Sequence, residues 1–197
     1  MDPLHLPSYP PLAVALLAQS LALTPRDTAL RTGDPESVTD HTVALGWLAV
    51  ALRPARMDPA RVALFAMVHD LLEAVTGDTN TLTATPAQRA AKGAAEAAAL
   101  LAMRGRIPHR LLAAVVEYEA QKAPEARFVK VLDKTVPKLC HLLNMRHLAA
   151  MMPRAELAAF LANQSARLRA DYPDQPEALA LFDETSTILL GAYPARR

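Results

Sequence analysis

DPARVALFAMVHDLLEAVTGD, residues Asp58 to Asp78, is the stretch whose reading decides the fold. Asp58 followed by Pro59 opens a helix: the carboxylate caps free backbone N–H groups, and proline suits the first helical position. Val62, Leu64, Phe65, Val68, Leu71 and Leu72 follow as its apolar residues, and Gly77 offers a stop. The spacing predicts one helix from Pro59 to about Gly77. It carries His69 and Asp70, whose side chains on a helix point about 100° apart.

The same punctuation recurs on both sides. Residues 1–10 read as an extended, proline-rich lead, followed by a helix over Leu12–Leu23 that stops before Pro25. Thr24–Val38 reads as a loop, and Thr39 as the cap of a helix over Asp40–Leu52. Thr79–Thr85 reads as a polar loop before a helix from Pro86 to about Arg104. Pro108 and Pro124 open two more, the second broken by Pro137 just after Val136. Arg154–Asp171 and Glu177–Gly191 complete the pattern. The expectation is a single all-α domain over 1–197, a bundle of about eight helices.

Composition agrees. Of 197 residues, 52% are hydrophobic and only 6 are glycine, so a folded helical chain is favoured over disorder or hairpins. Lys+Arg 21 against Asp+Glu 20 gives a net charge of +1, so no global attraction to a nucleic-acid polymer or an anionic membrane is expected. Cys140 stands alone, which rules out an intramolecular disulfide framework and fits a reducing compartment. The apolar run Leu12–Ala18 is short and lacks a basic flank, so it reads as a helix rather than a targeting segment. A cytoplasmic chain with no membrane span is expected.

Two residues join His69 and Asp70 as candidates. His41 lies 28 residues upstream at the start of a helix. Asp133 sits among Val131, Leu132 and Val136, where a carboxylate is costly unless paired or metal-bound. An ion pair to Lys130, Lys134 or Lys138 is the alternative. Imidazole and carboxylate together suit a divalent cation such as Mn, Co, Fe or Zn.

The order His41 … His69-Asp70 … Asp133 resembles the H…HD…D signature of the HD phosphohydrolase superfamily. ESVTDHT (Glu36–Thr42), HDLLEAVTGDTNT (His69–Thr81) and EYEAQKAPEARFVKVLDK (Glu117–Lys134) resemble its YfbR-like 5′-deoxynucleotidase branch. The likeness runs from about Leu21 to Leu143, which becomes the expected metal core, with C-terminal helices over about 154–191 outside it. It implies one divalent metal ion (Co, Mn, Mg, Fe or Zn) on His41, His69, Asp70 and Asp133. It further implies Glu73 as the proton-transfer residue and Asp78 as a catalytic group holding water or substrate. Arg26, in TPR (Thr24–Arg26), is the implied phosphate-binding residue, with Arg31 as a second candidate.

The implied reaction is hydrolysis of deoxyribonucleoside 5′-monophosphates, a small-molecule nucleotide substrate. A deoxynucleoside triphosphate triphosphohydrolase on the same metal site and a non-catalytic nucleotide-sensing domain are the alternatives. Dimerisation through the Ala/Leu-rich C-terminal helices is part of the same expectation. Two departures bear on the pocket. Asp27 stands where the branch often has tryptophan near the sugar, and Thr79-Asn80-Thr81 stands where a proline is common. His5, His109, His141 and His147 match no ligand position. Cys140, Trp47, Met145, Met151 and Met152 read as packing residues, and Glu117 and Glu119 as neighbours of the site at most.

Overall fold

The computed structural model describes residues 6–79 and 84–194. Its elements run α1 (Pro10–Leu23), β1 (Pro25–Ala29), β2 (Pro35–Ser37), α2 (Val38–Leu52), α3 (Pro59–Val68), α4 (Glu73–Thr76) and α5 (Pro86–Met103). They continue with α6 (His109–Ala120), α7 (Pro124–Asp133), α8 (Val136–Leu143), α9 (Met145–Met151), α10 (Arg154–Asp171) and α11 (Pro176–Ala192). The fold is helical, as expected. Residues 1–5 of the proline-rich lead, His5 included, and residues 80–83 of the polar loop lie outside the described residues.

Proline sits in the first turn of α1, α3, α5, α7, α8 and α11, where its missing N–H costs no helical hydrogen bond. Asp58 caps α3 as read, its side chain accepting from the Ala60 N–H. Thr85 caps α5 in a reciprocal box with Gln88. The long helix expected after Pro124 divides between Asp133 and Val136, just ahead of Pro137.

Four readings need correction. Thr24–Val38 is not all loop: β1 and β2 form a two-stranded antiparallel ribbon, pairing Pro25 with Ser37 and Ala29 with Pro35. Thr39 does not cap α2. Ser37 does, exchanging hydrogen bonds with Asp40, because a serine three residues ahead of an acid satisfies two backbone donors at once. The helix from Pro59 does not run unbroken to Gly77. It tightens after Val68 into successive i→i−3 bonds, Leu71 to Val68, Glu73 to Asp70 and Val75 to Leu72. Helix α9 was not anticipated; its cap is Asn144, whose side chain accepts from the His147 N–H.

One hydrophobic core is shared by α1, α2, α3, α6, α7 and the start of α11, centred on Leu17, Leu45, Phe65, Tyr118, Phe128 and Phe182. A smaller cluster joins Leu148, Leu157, Leu161 and Leu189 beneath α9, α10 and α11. Truncating Phe65 or Phe128 to alanine would cost on the order of 3–5 kcal/mol. Helix α7 is buried on nearly all sides, which is why Asp133 cannot escape to solvent.

Candidate metal centre

Helix α2, helix α7 and the turn after α3 converge on one point. His41, fully buried on α2, presents Nε2 to Asp133 Oδ1 of α7 at 3.0 Å. His69 and Asp70 follow the end of α3, with His69 Nε2 2.9 Å from Asp70 Oδ2 and 3.9 Å from Asp133 Oδ1. One donor atom from each of the four lies within 4.8 Å of the others. The four residues read from the sequence as a ligand set are thus brought together.

The donor chemistry fits a divalent cation. His69 Nδ1 lies 2.8 Å from the Ala66 carbonyl, which can only accept, so Nδ1 carries the proton and Nε2 offers a lone pair. That Nε2 is buried and faces Asp70 Oδ2 at 2.9 Å without the alignment of a hydrogen bond. Burial opposes charge on His69, yet Asp70 and Asp133 pull its pKa above the ordinary value. The pocket therefore attracts positive charge.

The i→i−3 turn sets the next residue. At three residues per turn, positions three apart eclipse, so Glu73 stands over Asp70. Glu73 is 2% exposed and Asp78 lies beside it after Gly77, whose positive φ of 74° lets the chain turn away. Burial first, then Asp70, pushes the Glu73 carboxyl up to about 8.

Arg26 enters from β1. Its Nη1 donates to Asp70 Oδ2 at 3.2 Å and lies 3.8 Å from Glu73 Oε2 and 3.7 Å from Asp78 Oδ1. Burial alone would lower its pKa, but these carboxylates and Asp133 overcome it and keep the guanidinium charged. The missed ribbon is what delivers this side chain: alternate residues of a strand face opposite ways, so Arg26 turns inward while Asp27 is exposed. Arg31, the second candidate, is exposed in the ribbon's connecting turn, away from the cluster.

Three further residues belong to the site. Glu36, 1% exposed at the ribbon's other strand, accepts from Thr28 Oγ1 and from Cys140 Sγ and lies 3.7 Å from Arg26 Nε. Cys140 is therefore polar in its contact, and burial with Glu36 pushes its thiol up to about 12. Lys134 Nζ lies 2.7 Å from Asp133 Oδ2, so the ion pair weighed as an alternative exists beside the histidine contacts. Lys92 of α5 donates to Glu73 Oε1 at 2.5 Å. Only Lys134 was foreseen; a lone lysine 19 residues past Glu73 carries no sequence signal. Around the cluster, five carboxyl groups (Glu36, Asp70, Glu73, Asp78, Asp133) face three cations (Arg26, Lys92, Lys134), an acidic excess that suits a bound cation.

A cleft leads away from Arg26 and Asp78. Asp27, Thr28, Lys134, Lys138 and His141 line it, with Leu157, Phe160, Leu161 and Gln164 from α10 and Leu189 from α11. The C-terminal helices thus frame the cleft rather than standing apart from the metal region. Trp47 does not: it is 78% exposed on α2, which corrects its reading as core. His109 is exposed, Glu117 pairs with Arg61 on the surface, and Met145 and Met152 pack on the smaller cluster. No helix among the described residues is long and apolar enough to cross a membrane.

The chain is similar to known proteins in sequence and in fold. A 5′-deoxynucleotidase HDDC2 from Danio rerio is 33% identical over 103 residues, covering 50% of this chain and 50% of that protein. The 5′-deoxynucleotidase hdd1 of Schizosaccharomyces pombe is 29% identical over 127 residues, covering 58% of this chain and 62% of that protein. The chain thus spans about half the length of the first of these and somewhat more of the second. The crystal structure of a protein described as a "predicted metal-dependent phosphohydrolase" from Magnetospirillum magnetotacticum MS-1 superposes with a TM-score of 0.67. It is 23% identical, with 94% of each chain covered, and so shows the fold. The HD domain model matches residues 18–175, a span that holds all four metal-site residues, Glu73 and Arg26, and the chain belongs to the HD domain family.

Proposed function

We propose that this chain is a metal-dependent phosphohydrolase that converts deoxyribonucleoside 5′-monophosphates to deoxynucleosides and phosphate. The observation that carries the reading is Arg26, a buried guanidinium 3.2 Å from one carboxylate of the His/Asp cluster and lining the cleft that opens beside it. A planar donor fork next to a metal-binding set suits a phosphate oxygen pair. The names of the relatives supply the nucleotide.

In this reading His41, His69, Asp70 and Asp133 hold one divalent ion. When bound, such an ion acidifies water and polarises a phosphoryl oxygen. Glu73 and Asp78 orient the water, and Glu73 passes a proton toward the leaving 5′ oxygen. Arg26 neutralises charge growing on the phosphoryl oxygens. The cleft's two sides divide the substrate: Arg26 and Asp78 face its phosphate, and the Leu157, Phe160 and Leu189 side takes the nucleoside. The near-neutral net charge fits a free nucleotide in the cytoplasm better than a nucleic-acid polymer.

The test is a panel of nucleoside mono- and triphosphates assayed with Co, Mn, Mg and Zn. Inorganic phosphate released from deoxynucleoside monophosphates supports the proposal. Tripolyphosphate as the product, or no hydrolysis with metal bound, overturns it.

A further inference from the structure

Helix α5 makes an unusual approach to the site. From Thr85 through Ala98 every residue is exposed except Lys92 and Glu96, which sit one turn apart on the same face. The first turns of α5 thus bury no apolar side chain, and Ala99 and Met103 anchor only its far end. The side chains this half-helix turns toward the protein are Lys92 and Glu96, and Lys92 is the one that reaches Glu73. Its Nζ lies 2.5 Å from Glu73 Oε1 and 3.5 Å from Glu96 Oε1.

The two oxygens of Glu73 are therefore unlike. Oε1 is tied to Lys92, whereas Oε2 is buried without a hydrogen-bond partner among the described residues and faces Arg26 Nη1 at 3.8 Å. A carboxylate on a short helical turn has free side-chain torsions; one charge-assisted bond at Oε1 fixes which way Oε2 points. Glu96 sits behind Lys92 and restrains it at helical i,i+4 spacing.

We propose that Lys92 is a positioning residue for the hydrolytic reaction: its ammonium holds Oε1 of Glu73 so that Oε2 is presented to the water and phosphoryl group between Arg26 and Asp70. This rests on the phosphohydrolase reading above, and it gives α5 a role that packing does not. Among the described residues, Lys92 makes its direct contacts with Glu73 and Glu96 and bonds to no candidate metal ligand, so Glu73 is its direct link to the site.

The experiment compares Lys92→Met, Lys92→Arg, Glu73→Gln and the Lys92→Met/Glu73→Gln double variant. With dAMP and the best metal, Lys92→Met should lower kcat by about tenfold to a hundredfold, the scale of a misplaced catalytic group, with KM and bound metal little changed. Lys92→Arg should recover most of that loss, and Lys92→Met should cost nothing further once Glu73 is Gln. In metal-free protein, the drop in Tm caused by Lys92→Met should vanish in the Glu73→Gln background, because no buried carboxylate is left unpaired. Wild-type kcat in Lys92→Met, or a loss of rate that is the same with Gln at position 73, overturns the proposal while leaving the phosphohydrolase reading intact. If the wild type hydrolyses no nucleotide, the functional reading fails and the positioning role fails with it; the Tm cycle then reports only whether the Lys92–Glu73 bond forms.

Discussion

Arg26 reaches across 44 positions of sequence to donate from Nη1 to Asp70 Oδ2 at 3.2 Å. The guanidinium lies 12% exposed between Asp70, Glu73 and Asp78, so it sits inside the carboxylate ring rather than at its rim. If it grips the substrate phosphate, Arg26→Ala should lower kcat/KM at least about tenfold, since a charge-assisted bond is worth roughly 1.5–3 kcal/mol. Arg26→Lys should restore only part of this, because an ammonium keeps the charge and loses the fork. Metal content should stay at the wild-type level. Wild-type kinetics in Arg26→Ala would remove Arg26 from phosphate binding.

His69 is a ligand candidate of constrained geometry, with Nδ1 spent on Ala66 and Nε2 turned toward Asp70 and Asp133. His69→Ala and Asp70→Ala should each lose bound metal and phosphatase activity while keeping the helical circular dichroism. Chelation of the wild type should abolish activity, and Co or Mn should restore it. Metal retained at full stoichiometry in both variants would contradict the ligand assignment.

Glu73 gives a prediction with a sign. Its carboxyl is pushed from 4.5 up to about 8 in the folded protein. Between those values the native state keeps a proton that the unfolded chain has lost, so stability of the metal-free protein should fall as pH rises from about 4.5 to 8 and level off above. Glu73→Gln cannot ionise and should flatten that slope in urea titrations. Glu73→Ala should keep metal yet lose about 10²–10⁴ in kcat. A loss under about threefold would leave Glu73 without a part in proton transfer.

The contrast between what could and could not be read from the sequence has a physical basis. Asp133 was legible because a carboxylate among apolar helical residues is costly without a partner, whereas His41, His69 and Asp70 joined it through the order of the H…HD…D signature that they resemble. Helix starts were legible at Pro59, Pro86 and Pro124, where local chemistry decides the boundary. The ribbon of β1 and β2 was not, because a three-residue strand that pairs through Pro35 and Ser37 has no periodicity to display. Trp47 was misread because an apolar ring on an amphipathic helix does not tell which face meets the core. Lys92 and Glu36 were invisible as site residues for a different reason: what places them is α5 folding back over α4 and the ribbon closing on Arg26, both long-range events.

Lys138 supplies a test of the cleft wall that does not depend on catalysis. It is 4% exposed on α8, its Nζ lies over the Phe182 ring, and it donates to the Phe182 carbonyl at 3.2 Å. Burial pushes its pKa from 10.5 down to about 6, against a smaller opposing pull from Asp183. Between those values the unfolded chain binds a proton that the native state does not, so this lysine makes stability rise with pH. Its cost to the fold is therefore greatest at and below about pH 6 and disappears near pH 10.5. Lys138→Met keeps the length of the side chain and removes the charge. The Phe182 carbonyl keeps Ser186 Oγ as a donor, so the substitution orphans no acceptor there. Lys138→Met should raise stability near neutral pH by on the order of 2 kcal/mol, with the gain shrinking as pH approaches 10. Urea midpoints of the two proteins at pH near 6, 8 and 10 would measure it. A variant less stable than wild type at every pH would mean that the ring and carbonyl contacts hold a charged lysine in place, and that Lys138 supports the cleft wall instead of straining it.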